Sequence, residues 1–248
     1  MKLVWSVLFL VIGSLSYAQT AKEIVKTSDD RLRGKSSKGE VTIQIVRPKW
    51  TREMTMKTWS YGTEYSLTMV TAPAKEKGMG FLMRKKEVWN WLPSVERLMK
   101  LPPSMMMQSW MGTDFSNDDL VRQSSIVNDY EHKILGDSTI EGRKCWKIEL
   151  IPHEDAAVVW GKIETWIDQK DYVQMKTKFF DEDFELVNTM NAYDVKEMDG
   201  KFLATRLEMV PADKKGHKTV FIQNSIEFDV ESLDESFFTP QNMKKLRI

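Results

Sequence analysis

The residue types that carry most enzyme chemistry are few in this sequence and poorly spaced for it. None of the three histidines, His132, His153 and His217, lies within four positions of another, so no helical pair of the zincin type can form. No Gly-x-Ser-x-Gly elbow and no phosphate-cradling glycine loop occur. The one cysteine, Cys145, stands between Lys144 and Trp146 in a strand-like run. A basic neighbour can activate a thiol, but an inert half-buried thiol is the simpler reading. Asp181-Glu182-Asp183 with Glu185 has the composition of a calcium loop without an EF-hand's glycine and spacing, and reads as a solvated hairpin turn. Asp118-Asp119 reads as helix capping. Arg84-Lys85-Lys86 beside Trp89 and Trp91 holds the ingredients of a single-strand nucleic-acid platform, and equally those of a charged hairpin tip beside core tryptophans. No catalytic residue, metal ligand or cofactor is assigned, and the chain reads as a non-enzyme.

What remains is apolar. The chain holds 16 Met and 9 Trp, more soft and aromatic lining than a small core needs. The densest stretch is LPPSMMMQSWMGTDFSNDDL, Leu101–Leu120. On a helix, Met106, Met107, Trp110 and Met111 would share an arc of about 140°. The expectation is a short apolar helix that must dock on something, because under two turns cannot stand alone in water. It is either a soft lid over a greasy cavity or a plug of ordinary core.

The flanking elements say what it could dock on. Lys2, the apolar run Leu3–Ile12 and Ser16-Tyr17-Ala18 predict a secretory signal peptide over residues 1–18, cut after Ala18. Gln19 follows where a bacterial lipid anchor would need cysteine, so the expectation is an exported soluble domain over residues 19–248. With 36 basic and 36 acidic residues, losing Lys2 leaves one net negative charge, which argues against nucleic acid or anionic membrane as main partner. Thr20-Ala21-Lys22-Glu23 is a capping box, and Gly34 suits the helix's end. Ile24, Val25, Ser28 and Leu32 share that helix's apolar face.

From Glu40 the period becomes two, as in Val41, Ile43 and Ile45, then Met54 and Met56, then Tyr65, Leu67 and Met69. About ten to twelve antiparallel strands follow, with Asp199-Gly200 the clearest two-residue hairpin turn. Ser116-Asn117-Asp118-Asp119 predicts a cap leading into a short helix through Leu120–Gln123. Asp234–Phe238 predicts a helical turn before a short tail. The predicted fold is mainly β (α+β): one strongly curved antiparallel sheet, an N-terminal helix, and mid-chain helices over its concave face. Val88 and Leu92 face away from Trp89 and Trp91, so this strand is apolar on both sides. Either helices cover the second side or it lines a ligand cavity.

Two motifs then resemble the LolA-like outer-membrane lipoprotein-sorting proteins. Lys86-Glu87-Val88-Trp89-Asn90-Trp91-Leu92-Pro93 is similar to the Lys-x-aliphatic-Trp-x-aromatic-x-Pro strand and turn of LolA itself. Ser109-Trp110-Met111-Gly112-Thr113-Asp114-Phe115-Ser116-Asn117-Asp118-Asp119-Leu120 resembles the signature of a subfamily distinct from LolA proper. The resemblance implies an unclosed β-barrel with lid helices, sheltering acyl chains in the periplasm between an inner-membrane transporter and an outer-membrane acceptor. LolA proper latches its lid with the arginine of an Arg-Pro pair after its second strand. Here Ala72-Pro73 stands at that place and Arg47-Pro48 comes earlier, so no arginine latch is expected.

The expected function is thus a monomeric carrier of acylated lipoprotein or another lipid. A protein-binding or envelope-sensing module on the same fold is the alternative. Met54, Met56, Leu67, Met69, Phe81, Met83, Trp89 and Trp91 are the expected cavity wall. Met106, Met107, Trp110 and Met111 are the expected lid.

Overall fold

The computed structural model describes residues 19–246 apart from 86, 107, 118, 120–124 and 157. The expected signal peptide lies outside the described residues. So do Lys86, Met107 and the whole of Leu120–Gln123, where a helix is expected.

The period-two runs form β1 (Ser36–Arg47), β2 (Trp50–Tyr61), β3 (Tyr65–Ala72), β4 (Gly80–Arg84), β5 (Glu87–Leu92) and β6 (Arg97–Lys100). After the inserted stretch come β7 (Tyr130–Ile140), β8 (Arg143–Pro152), β9 (Lys162–Asp168) and β10 (Gln174–Phe180), then β11 (Leu186–Met198), β12 (Lys201–Pro211) and β13 (Lys218–Phe228). They make one thirteen-stranded sheet, β6-β5-β4-β3-β2-β1-β13-β12-β11-β10-β9-β8-β7, slightly larger than expected. Every pairing is antiparallel, as in β1 with β2 and with β13. Asp199 and Gly200 both take positive φ, 48° and 74°, which matches the twist of a tight hairpin.

The two outermost strands, β6 and β7, are consecutive in the chain. Residues 101–129 must therefore travel from one free edge of the sheet to the other. This fact places the Met/Trp stretch.

Residues directly opposite in neighbouring strands share a face. One such row runs Met54–Ile43–Phe221–Leu207–Ala192, and another runs Ile45–Thr219–Met209–Met190–Thr177–Thr165–Ile148. This is the inner face. Helix α1 (Ala21–Arg33) lies on its β7–β9 end, burying Ala21, Ile24 and Val25 against Tyr130, Ile148, Leu150, Ile163 and Ile167. Its capping box is formed: Glu23 N–H donates to Thr20 Oγ1 at 3.2 Å and Thr20 N–H to Glu23 Oε2 at 2.8 Å. Gly34 ends it at φ 65°. Leu32 departs from the expected face: the buried line stops at Asp29, held by Arg33, and Leu32 beyond it is 49 % exposed.

The outer face is closed at the other end of the sheet. Helix α2 (Pro240–Lys245), capped by Thr239, occupies what was expected to be a tail. Phe238 and Met243, both fully buried, pack with Tyr65, Leu67, Met69 and Leu82. Gly80 permits this approach: a Cβ there would fall 2.7 Å from Met69 Sδ and 2.8 Å from Met243 Sδ.

Candidate functional site

The inserted stretch is not the helix its methionines suggested. Pro103–Met105 makes only a 3-10 turn, and residues 108–117 fold back as a hairpin-like loop. Trp110 N–H donates to Phe115 O at 2.8 Å, Asn117 N–H to Gln108 O at 2.9 Å, and Ser109 bridges Ser116. Met111 and Gly112 turn the loop at φ 50° and 79°, a conformation no helix interior allows. Thr113, 3 % exposed, braces the turn by donating to Trp110 O at 2.7 Å. The expected second cap is present. Ser116 N–H donates to Asp119 Oδ2 and Asp119 N–H to Ser116 Oγ, with Asn117 and Asp119 helical.

This loop seats Trp110, with Met111 beside it, into the inner face. Trp110 is 4 % exposed and packs among Val41, Ile43, Ile45, Met54, Met56 and Val70. Its ring meets Phe81 edge-on at 5.2 Å between centroids. The indole N–H has no hydrogen-bond partner, an unfavourable state for a buried donor. Met111 and Met79 pack partly buried beside it, whereas Met106 is half-buried outside this cluster.

An arginine does hold the crossing loop, although not at Ala72-Pro73, the place the resemblance marks. Arg47, of the earlier Arg-Pro pair, reaches the loop from the end of β1. Its Nη1 donates to Asp114 Oδ2 at 3.0 Å and its Nη2 to Gly112 O at 2.9 Å. Nη1 also faces the carbonyls of Val46 and Lys218. Thr219 of β13 donates from Oγ1 to Asp114 Oδ2 at 2.7 Å and accepts from Asp114 N–H at 2.9 Å. The side chains of Arg47 and Asp114 are 10 % and 6 % exposed, so the pair works in a partly dry setting. The two Arg-Pro and Ala-Pro pairs cannot be ranked without knowing which strand end the crossing chain passes over.

Farther along, the segment is tied to the opposite half of the sheet. Trp160, in the loop before β9, donates from Nε1 to Asp119 Oδ1 at 3.2 Å. Burial pushes the Asp119 carboxyl up, against the hydrogen bonds from Ser116 and Trp160 that favour its ionised form. His132 Nε2 lies 2.8 Å from Ile126 O near the return to β7, and burial pushes that imidazole down. The roof thus has a tie near β1 and two near β7–β9.

The eight wall candidates divide between the two faces. Met54, Met56, Phe81 and Met83 are inner, toward Trp110. Leu67, Met69, Trp89 and Trp91 are outer, around α2. One wall cannot contain both sets. In β3, Met69 and Val70 are both buried, one on each side, so alternation alone could not sort them. Strands apolar on both faces are covered on both: α2 on one, the crossing loop on the other. Inner residues the sequence reading passed over are Phe179, Met190, Leu207 and Phe221, all half-buried. Their signal was the same alternation in β10–β13, which carries no mark of the inner side.

Two depressions, of about 400 and 220 Å³, lie elsewhere: one beside Lys22, His132 and His153, the other beside Glu141, Arg143 and Tyr193. Neither is lined by Trp110 or the wall candidates. Cys145 is fully buried, and burial pushes its thiol up to about 11. No cluster of three or more His, Cys, Asp or Glu that could hold a metal occurs among the described residues. Asp181 Oδ1 is taken by the N–H groups of Asp183 and Glu185, as a turn requires.

Three solved structures share this architecture. A DUF1329 family protein from Desulfovibrio piger ATCC 29098 matches with a TM-score of 0.81 and 20% identity, over 90% of this chain and 97% of its own. A putative outer membrane lipoprotein-sorting protein domain from Vibrio parahaemolyticus matches at 0.79 and 22%, over 90% and 98%. A LolA superfamily protein from Nitrosomonas europaea matches at 0.75 and 24%, over 90% and 99%. Comparison with curated proteins finds no similar sequence. A family model described as "-like: Uncharacterized protein" matches residues 62–245. The chain belongs to that family, built on a LolA-like fold.

Proposed function

We propose that this protein is a periplasmic carrier that shelters the acyl chains of lipoproteins or of another lipid beneath the residue 101–129 crossing. The observation that carries the reading is the latch. An apolar inner face is roofed by an irregular loop that Arg47 holds to the sheet through Gly112 and Asp114. Such a roof leaves by breaking a few polar contacts, without unfolding a strand or helix. In the closed state Trp110 fills the inner face with an unpaired indole N–H, so an acyl chain displacing it takes over apolar contacts and frees that donor. Each methylene buried contributes about 0.8 kcal/mol, so cargo needs no strong polar grip. Donor and acceptor on this reading are an inner-membrane transporter and an outer-membrane receptor. Half-buried Met190, Leu207 and Phe221 extend the acyl path toward α1.

The test is native mass spectrometry and lipid extraction of protein isolated from its own periplasm. A co-purifying lipid or acylated protein at one-to-one stoichiometry is the expected result. Empty protein that retains one folded, unacylated partner would overturn the carrier in favour of a protein-binding module.

A further inference from the structure

Four turns at one end of the sheet form a continuous surface. The β12–β13 turn touches the β1–β2 turn, since a Cβ built on Gly216 would stand 3.4 Å from Pro48 Cγ. Arg52 at the start of β2 pairs with Glu76 of the β3–β4 loop at 2.8 Å. A Cβ on Gly78 of that loop would stand 3.4 Å from Pro93 Cγ of the β5–β6 turn. Across this rim Lys49, Lys75, Lys77, Arg97, Lys214 and Lys215 are exposed and have no ion-pair partner among the described residues. The carboxylates there are Asp213, Glu96 and Glu53, with Glu76 paired to Arg52 and Asp114 paired to Arg47. Two large apolar side chains project from the same turns, Trp50 at 52 % and Val95 at 65 % exposed. Beyond β10 the rim changes sign at Asp181–Glu185, which confines the basic stretch to one side.

We infer that this rim is a docking face for an anionic bilayer surface, with the lysines against lipid phosphates and Trp50 and Val95 in the headgroup layer. Exposed cations around an amphipathic tryptophan fit that interface, where aromatic rings sit at headgroup depth and each nearby cation adds attraction. A chain with balanced charge acquires the face only because four distant turns converge. The face also adjoins the roof: the Arg47 guanidinium lies 6.0 Å from the Trp50 ring while holding Gly112 and Asp114. Movement of Trp50 into lipid thereby acts on the residue that keeps the roof shut.

Co-sedimentation of the protein with phosphatidylcholine vesicles, with and without phosphatidylglycerol, tests this. Binding is expected to the phosphatidylglycerol vesicles alone, and to weaken with added salt. The exposed-site variant Lys49→Glu/Lys214→Glu/Lys215→Glu should lose on the order of a hundredfold in affinity, from roughly fivefold per cation. Trp50→Ala should also weaken binding, while both variants keep the parent's melting temperature. No binding, equal binding to neutral vesicles, or undiminished binding by the triple variant would each overturn the inference. Capture of an acidic protein by the same lysines in the absence of vesicle binding would overturn it in favour of a protein partner.

Discussion

Arg47 Nη1 stands 3.0 Å from Asp114 Oδ2, joining the last residue of the first strand to the loop that roofs the sheet. Sixty-odd residues of strand and turn separate them, and the contact exists only because β1 runs mid-sheet beneath the crossing chain. Removing one member of a buried pair strands the other and costs about 3–5 kcal/mol. Arg47→Met should therefore speed hydrogen exchange in residues 108–117 and raise the loading rate of a fluorescent acyl probe. Arg47→Met with Asp114→Leu should recover most of the exchange protection. Unaltered exchange in Arg47→Met would show that the roof is held elsewhere.

Trp110 separates packing from polarity. Trp110→Ala removes the ring that fills the inner face, at about 3–5 kcal/mol. Trp110→Phe keeps most of the packing and deletes a buried donor without a partner, which recovers about 1–3 kcal/mol. The phenylalanine variant should melt near the parent's temperature and the alanine variant well below it. Trp110→Ala with Met106→Ala should also retain acyl probe poorly while circular dichroism still shows the sheet. Unchanged retention would return this residue to the role of plain core.

The Asp119 tie should respond to pH. Burial raises its carboxyl pKa in the closed roof. A carboxyl raised on folding contributes stability that is full below its unfolded value, about 4, and is lost as pH rises through the folded one. The Asp119 tie itself should accordingly be firmest under acidic conditions and loosen as pH rises through the raised pKa, opposite in sign to His132, whose lowered pKa weakens its own tie as pH falls. Asp119→Asn removes the titrating proton and should flatten the pH profile of exchange at residues 116–119. A profile that persists in this variant would assign the dependence to another group.

Gly80 tests the outer layer independently of the roof. Adding a methyl beside Met69 Sδ and Met243 Sδ overpacks the seat of α2, at about 1–3 kcal/mol. Gly80→Ala should lower the melting temperature, and Met243→Ala in the same chain should restore part of the loss. Acyl probe uptake should stay near parental, because α2 and Trp110 lie on opposite faces. A large loss of uptake in a still-folded Gly80→Ala protein would mean that the outer face takes part in binding.

The sequence by itself determined the strands, the first helix and the main turns. Their signals are local: period-two alternation in Val41–Ile45, the Thr20–Glu23 box, and Asp199-Gly200 at positive φ. Composition also singled out the stretch around Trp110, whose ring the structure buries on the inner face. Its helix reading of Met106–Met111 failed because spacing counts apolar residues and cannot see that Met111 and Gly112 must turn the chain. Only the tertiary structure decided which side of each strand faces in. Alternation is symmetric between two faces, and here both are apolar, so Leu67 and Met54 looked alike while lying on opposite sides. The latch was equally hidden, since Arg47, Asp114 and Thr219 meet through strand order, a long-range property. The choice between Arg47-Pro48 and Ala72-Pro73 rested on where β6 and β7 leave their connecting chain, and that is fixed by closing the sheet from β13 onto β1.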